Sequence, residues 1–289
     1  MTNMSSLKRL DADVLMSSIR ALPPLPEVVF KLVRSLEDPR SNIGELEKQI
    51  EMDQALSTKL LRVANSSFYG LTRQVGTVRD AAVVLGFAAL RSMAIAASTI
   101  SHFAGQRLPP GFDYRQFWSH GMATGIASEL VARECREPEG VAFTAGLIHD
   151  IGRLALACQF PDHMQACYAY KDSSQSTLLH AESEVLGMTH AHIGATLGRH
   201  WHFPVAVVDA IENHHQPTQA CTAIPHVVLV GEALASGYGV SCSDGTSHDQ
   251  QTIDSSLLHL SLGTAEITNL QSKLADRMGT IDEILGTNS

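Results

Sequence analysis

The chain has 289 residues, 44% of them hydrophobic and 18% charged, with 21 basic against 30 acidic side chains and a formal net charge of −9. Such a chain is globular and long enough for one large or two modest domains, which excludes extended disorder and a fibrous repeat. The acidic balance excludes general binding along a phosphate backbone, which needs a basic surface to gain from counterion release, although a local basic pocket stays compatible with it.

The opening MTNMSSLKRLDADVL lacks the apolar core of a signal peptide, and the apolar stretch 81–98 is interrupted by Arg91. A cytoplasmic protein without a membrane span is therefore expected. Cys135, Cys158, Cys167, Cys221 and Cys242 are odd in number, widely spaced and form no CxxC. They predict reduced thiols and neither a disulfide framework nor a thiolate zinc site.

In chain order the signals are helical. ALPPLPEVVFKLVRSLEDP is a proline-rich entry into an amphipathic helix, and Asn42 with Glu45 forms a capping box ahead of Leu46, Ile50, Leu56, Leu60 and Leu61. Thr77 with Asp80 opens the helix carrying Val83, Val84, Leu85 and Phe87. GQRLPPGFD, 105–113, punctuates the chain between two helical halves. The pattern then predicts one helix over 141–156, apolar nearly all round and hence buried, with His149 and Asp150 close to the interior. SGYGVSCSDGTSHDQQTIDSS, 236–256, reads as a mobile loop. Beyond it Ile267, Leu270, Leu274, Met278, Ile281 and Leu285 recur three and four apart, as in a terminal helix packing back on the body. No alternating run bounded by hairpin turns occurs, so the fold class expected is all-α.

All but one of the 14 histidines lie from His120 onward. FWSHGMATGIASELV sets His120 beside Ala123, Thr124 and Ala127, whose small side chains leave room next to the ring. GLIHDIGR supplies His149 and Asp150, MTHAHIGATLGRHW supplies His190, AIENHHQP ends a helix with His214 and His215, and VVLVGEALA carries Glu232. Individually each has an ordinary structural explanation, such as a satisfied core histidine or a helix C-terminal imidazole. His192 lies about 200° around a helix from His190, and with His200, His202 and His226 it is assigned a structural role. Jointly, imidazoles and carboxylates without thiolates suit a hydrolytic centre of the Mn, Fe or Zn type better than a structural zinc. The pairs His149–Asp150 and His214–His215 could serve two ions about 3.5–4 Å apart, with Asp150 as the bridge and catalytic carboxylate.

From about Leu22 to Gly237 the chain also resembles HDOD-domain proteins, bacterial signalling relatives of the HD and HD-GYP phosphohydrolases. The resemblance rests on LPPLPEVVFKLVRSLEDP, DQALSTKLLRVANSSFYG, TVRDAAVVLGFAALRSM, FWSHGMATG, GLIHDIGRLAL, MTHAHIGATLGRHWHFPVAVVDAIENHHQP and VVLVGEALA. It implies an all-helical fold, with an extension over 1–21, a helical half over 22–110, an HD-like core over 111–237 and a loop with terminal helices over 238–289. It also implies that His120, His149, Asp150, His190, His214 and His215 stand where HD-GYP motifs place metal ligands. Four departures are visible. Gly231 and Glu232 replace a late-helix aspartate, and Gln116 stands where trinuclear relatives can place a glutamate, which implies at most two ions. QPTQA follows His215 in place of the GYP segment, so hydrolysis of cyclic di-GMP is not expected. Arg153 replaces a lysine and could hold substrate phosphate by a bidentate contact.

Two functions follow as expectations. One is a regulatory module that docks signalling partners, its pocket a sensor or relic. The other is a metal-dependent phosphohydrolase acting on a small phosphate ester or nucleotide.

Overall fold

The structure, a computed structural model, describes residues 12–22, 25, 27–35, 43–65, 75–85, 90, 91, 94, 95, 98, 103, 107–241 and 248–285. Every regular element among them is an α-helix, the class that the periodicity predicts. In the N-terminal part these are α1 (Ala12–Arg20), α2 (Glu27–Arg34), α3 (Ile43–Met52), α4 (Gln54–Ala64) and α5 (Val78–Leu85). The apolar run ending at Leu61 is divided at Asp53, whose Oδ1 accepts the Leu56 N–H at 2.9 Å and so caps a second helix. Thr77 caps α5 in the expected way, its hydroxyl accepting the Asp80 N–H at 3.0 Å. The buried face of that helix is carried by Val78 and Ala81, and Val83 is 79% exposed. The capping pair Asn42 and Glu45 and the side chains of Leu46, Val84, Leu85 and Phe87 lie outside the described residues.

From Asp113 the described residues form a helical body: α6 (Tyr114–Cys135), α7 (Glu139–Ile148), α8 (Ile151–Gln159), α9 (Pro161–Ser174), α10 (Leu178–Leu186), α11 (His190–His200), α12 (Val205–Asn213) and α13 (Ala223–Gly237), then α14 (Gln250–His259) and α15 (Thr264–Leu285). Asp113 and Thr177 cap α6 and α10 by accepting the N–H groups of Gln116 and His180. The loop expected over 236–256 is thus shorter than its composition suggests, because Gln250 onward is helical and packs on α13. As expected, the last helix packs back, with Leu270, Leu274 and Met278 buried and Arg277 donating to Glu129 on α6. Cys135, Cys158, Cys167 and Cys221 are free thiols, and Cys242 lies outside the described residues.

The helix expected over 141–156 is divided by a tight turn at His149 and Asp150, where the Arg153 N–H returns to the Asp150 carbonyl at 2.9 Å. On an unbroken helix adjacent side chains diverge by about 100°; the turn lets these two face the same place. By length and composition the stretch Glu139–Gln159, with a mean hydropathy of 1.4, could cross a membrane, but it is buried inside the protein. Helices α6, α12 and α13 cover α7, and α11 covers α8.

What brings these helices close is the absence of β-carbons at the crossings. A β-carbon on Gly152 of α8 would overlap the His190 carbonyl and stand 2.6 Å from the Gly194 nitrogen of α11. On Gly121 of α6 it would lie 2.7 Å from the Leu147 carbonyl oxygen of α7. Both obstacles are backbone and cannot rotate away. Gly152→Ala should therefore destabilise the fold by about 1–3 kcal/mol or more in a denaturant titration. Gly237, whose added β-carbon meets nothing within 4 Å, should tolerate alanine with no loss, since alanine is the better helix former.

Candidate metal centre

Four elements deliver five imidazoles to one buried place: His120 from α6, His149 from the turn after α7, His190 from the first position of α11, and His214 and His215 from the end of α12. His149 and His214 use the same local device. Each follows the last residue of its helix and turns Nδ1 back onto a carbonyl three residues earlier, Gly146 at 2.7 Å and Ile211 at 2.9 Å. With Nδ1 donating there, the proton is placed away from the centre and the Nε2 lone pair faces inward. His190 is fixed by a carboxylate instead: Oε2 of the fully buried Glu182 accepts both its backbone N–H at 2.8 Å and Nδ1–H at 2.7 Å. His120 directs Nδ1 at the Val240 carbonyl, 3.4 Å away.

The Nε2 atoms then crowd together. His190 and His215 approach to 2.9 Å and His120 and His149 to 3.3 Å. Asp150 joins the two pairs: its Oδ1 is 3.2 Å from His190 Nε2 and 3.7 Å from His214 Nε2, while Oδ2 is 3.7 Å from His149 Nε2. Asp150, His190, His214 and His215 have ligand atoms all within 4.8 Å of one another, and so do His120, His149 and Asp150. The two groups share only the aspartate. Glu232 reaches the second group, with Oε1 3.5 Å from His120 Nε2 and 4.0 Å from His149 Nε2. All seven residues singled out in the sequence for a metal thus meet at one site.

Arg153, expected to hold substrate phosphate, is 4% exposed and donates Nη1–H to Asp150 Oδ2 at 2.6 Å. Here it is a clamp on the aspartate. Gln116 donates to the Ser241 carbonyl at 3.2 Å. The four histidines given structural roles are engaged elsewhere: His192 with Thr189, His200 with the Leu22 carbonyl, His202 with the Arg199 carbonyl, and His226 with Ser256 and the Thr218 carbonyl.

The charges follow from this arrangement. Burial works against a charged Asp150, yet Arg153, His149 and His190 hold its carboxyl well below the usual range. Burial likewise opposes a charged His190, but Glu182 and Asp150 outweigh it and push the ring up to about 9. Burial, reinforced by the His190 cation, drives His215 down to about 3, and burial with its imidazole neighbours takes His214 well below its ordinary value.

Two participants were not legible beforehand. Glu182 lies eight residues before His190 on another helix, and only the general need of a ligating imidazole for a partner at Nδ1 hints that such a carboxylate exists. His248, inside the segment read as loop, donates Nε2–H to Glu232 Oε2 at 2.7 Å.

The fold has counterparts among solved structures. The HDOD domain family matches residues 22–217, and the chain belongs to that family. A protein from Marinobacter aquaeolei VT8, provisionally named a signal transduction protein, is 26% identical with a TM-score of 0.75, over 97% of this chain and 62% of that one. One from Shewanella amazonensis SB2B, provisionally named a phosphohydrolase, shares the fold at 24% identity and a TM-score of 0.72, over 93% and 96% of the two chains. Among curated proteins, an uncharacterized protein of Treponema pallidum (strain Nichols) is 25% identical over 198 residues, 67% of this chain. The chain spans 37% of that relative's length.

In the metal-free protein the His190 ring should titrate near pH 9 by NMR. Glu182→Gln removes a carboxylate that favours the cation, so the midpoint should move down toward the ordinary imidazole value. A midpoint left in place would mean that Glu182 does not support the ring.

Proposed function

We propose that this HDOD protein holds one or two divalent ions of the Fe, Mn or Zn type in the imidazole and carboxylate cluster, hydrolyses a small phosphate ester or nucleotide there, and serves signalling through that chemistry. The observation that carries the reading is His214 Nε2. It is a fully buried ring nitrogen without a hydrogen-bond partner, on a ring whose Nδ1 is already committed to Ile211. A buried polar atom left in this state costs about 1–3 kcal/mol, and a cation bound by the lone pair would remove that cost.

The donor set fits such an ion. It offers nitrogen and carboxylate oxygen without sulfur, arranged as two groups that share Asp150. His190, His214 and His215 would hold one ion with Asp150, and His120 and His149 with Glu232 the other. A bound ion supplies Lewis acidity toward a phosphoryl oxygen and makes water acidic enough to attack at neutral pH. Asp150 keeps the two groups in register. Arg153 holds Asp150 ionised and oriented, and Glu182 keeps the His190 ring turned so that Nε2 faces the centre.

The closed character of the centre favours a second reading, in which the ion is sensory or a relic and the protein acts by docking signalling partners on its helices. His149, His190 and His214 are fully buried and Asp150 is 6% exposed, which leaves little room for a bulky substrate. The likeness to the Marinobacter protein supports it as well.

Elemental analysis of protein purified without chelator should find a transition metal, and Asp150→Ala should lose it while keeping the helical circular dichroism. Mn- and Fe-loaded wild type should hydrolyse generic phosphate esters or nucleotides at a rate that scales with bound metal, and Asp150→Ala should fall to background. Metal without turnover, together with a cellular partner retained equally by both proteins, would establish the second reading in place of the first.

A further inference from the structure

The centre includes one contact that neither the family resemblance nor the ligand groups contain. Glu232 projects from α13 and divides its two oxygens: Oε1 faces His120 and His149, and Oε2 accepts the His248 Nε2–H at 2.7 Å. Both side chains are buried, Glu232 at 3% and His248 at 6% exposure. His248 stands two residues before α14, and its ring also lies 5.6 Å from that of His215, a member of the other ligand group.

A glutamate has one more rotatable bond than an aspartate, so it reaches farther but is less constrained as a ligand. A directed donor on one oxygen selects one rotamer and leaves the other oxygen free to ligate, the usual service of an outer partner to a ligating group. We propose that His248 is a positioning residue for the metal centre, holding Glu232 by Oε2 so that Oε1 is presented to the His120–His149 group. This rests on the metal reading above and goes beyond it by giving His248 a part in assembling one half of the centre.

The experiment uses the full chain and Mn2+ as the probe. In His248→Ala, calorimetric titration should show one ion weakened by about 10–100-fold, the other unchanged, and circular dichroism and thermal unfolding close to wild type. His248→Gln, which keeps an N–H donor, should recover part of the loss. Affinities unchanged in His248→Ala, or both ions lost together, would overturn the proposal.

A second measurement decides the point without metal, so that failure of the metal reading is not mistaken for failure of this one. In NMR spectra of the metal-free protein, His248→Ala should shift the His120 and His149 ring resonances and leave those of His190 in place. If wild type takes up no Mn2+ the metal centre is refuted and with it any ligand role for Glu232. If the His120 and His149 resonances do not move, His248 does not position Glu232.

Discussion

A single buried carboxylate sets the terms for the rest of this protein. Asp150 remains ionised in an interior where an isolated charge is strongly disfavoured, and it does so because Arg153 clamps Oδ2 while imidazoles from three elements surround both oxygens. To gather them, α8 and α11 must approach until a glycine faces a glycine, Gly152 against Gly194. The backbone contact at the crossing and the contact between Asp150 and His190 are consequences of the same closeness. Helix packing and site geometry are one constraint seen at two distances.

The orientation of the rings is set from outside the centre. Carbonyls at the ends of α7 and α12 take Nδ1 of His149 and His214, and Glu182 takes Nδ1 of His190. These bonds decide which nitrogen faces inward before any ligand arrives. The resulting crowd of Nε2 atoms is poorly satisfied by protons: His190 carries one at the expense of His215, and His214 Nε2 has no hydrogen-bond partner. A cation shared among lone pairs resolves that conflict better than a proton, because one ion can accept several nitrogens at once.

How far the sequence discloses this depends on the range of the interaction involved. The helical class is legible because apolar periodicity is local, as at Leu270, Leu274 and Met278. The histidine and aspartate set is legible because those residue types recur beside small residues in quotable motifs. The break at His149 and Asp150 is hidden, since an apolar run gives no sign that its ladder is interrupted by the demands of a site. Glu182 and His248 are hidden for a related reason. Their roles depend on which distant backbone they meet, and a polar residue in a Ser- and Gly-rich stretch looks the same whether it caps water or a buried glutamate.

The replacement at the late helix can be understood in the same terms. A side chain at position 231 would run into Ser128, whose backbone nitrogen lies 2.8 Å from where the β-carbon would be, so α13 can lie this close to α6 only with glycine there. The carboxylate is carried by Glu232, one residue on and about 100° around the helix from Gly231, with Oε1 3.5 Å from His120 Nε2. The glutamate reaches both His120 and His149 with Oε1, and the freedom of its extra rotatable bond is restricted by the bond from His248 to Oε2. Substituting the shorter aspartate for Glu232 would draw the carboxylate back from His120 and His149, because the contact of Gly231 with Ser128 fixes how close α13 lies to α6.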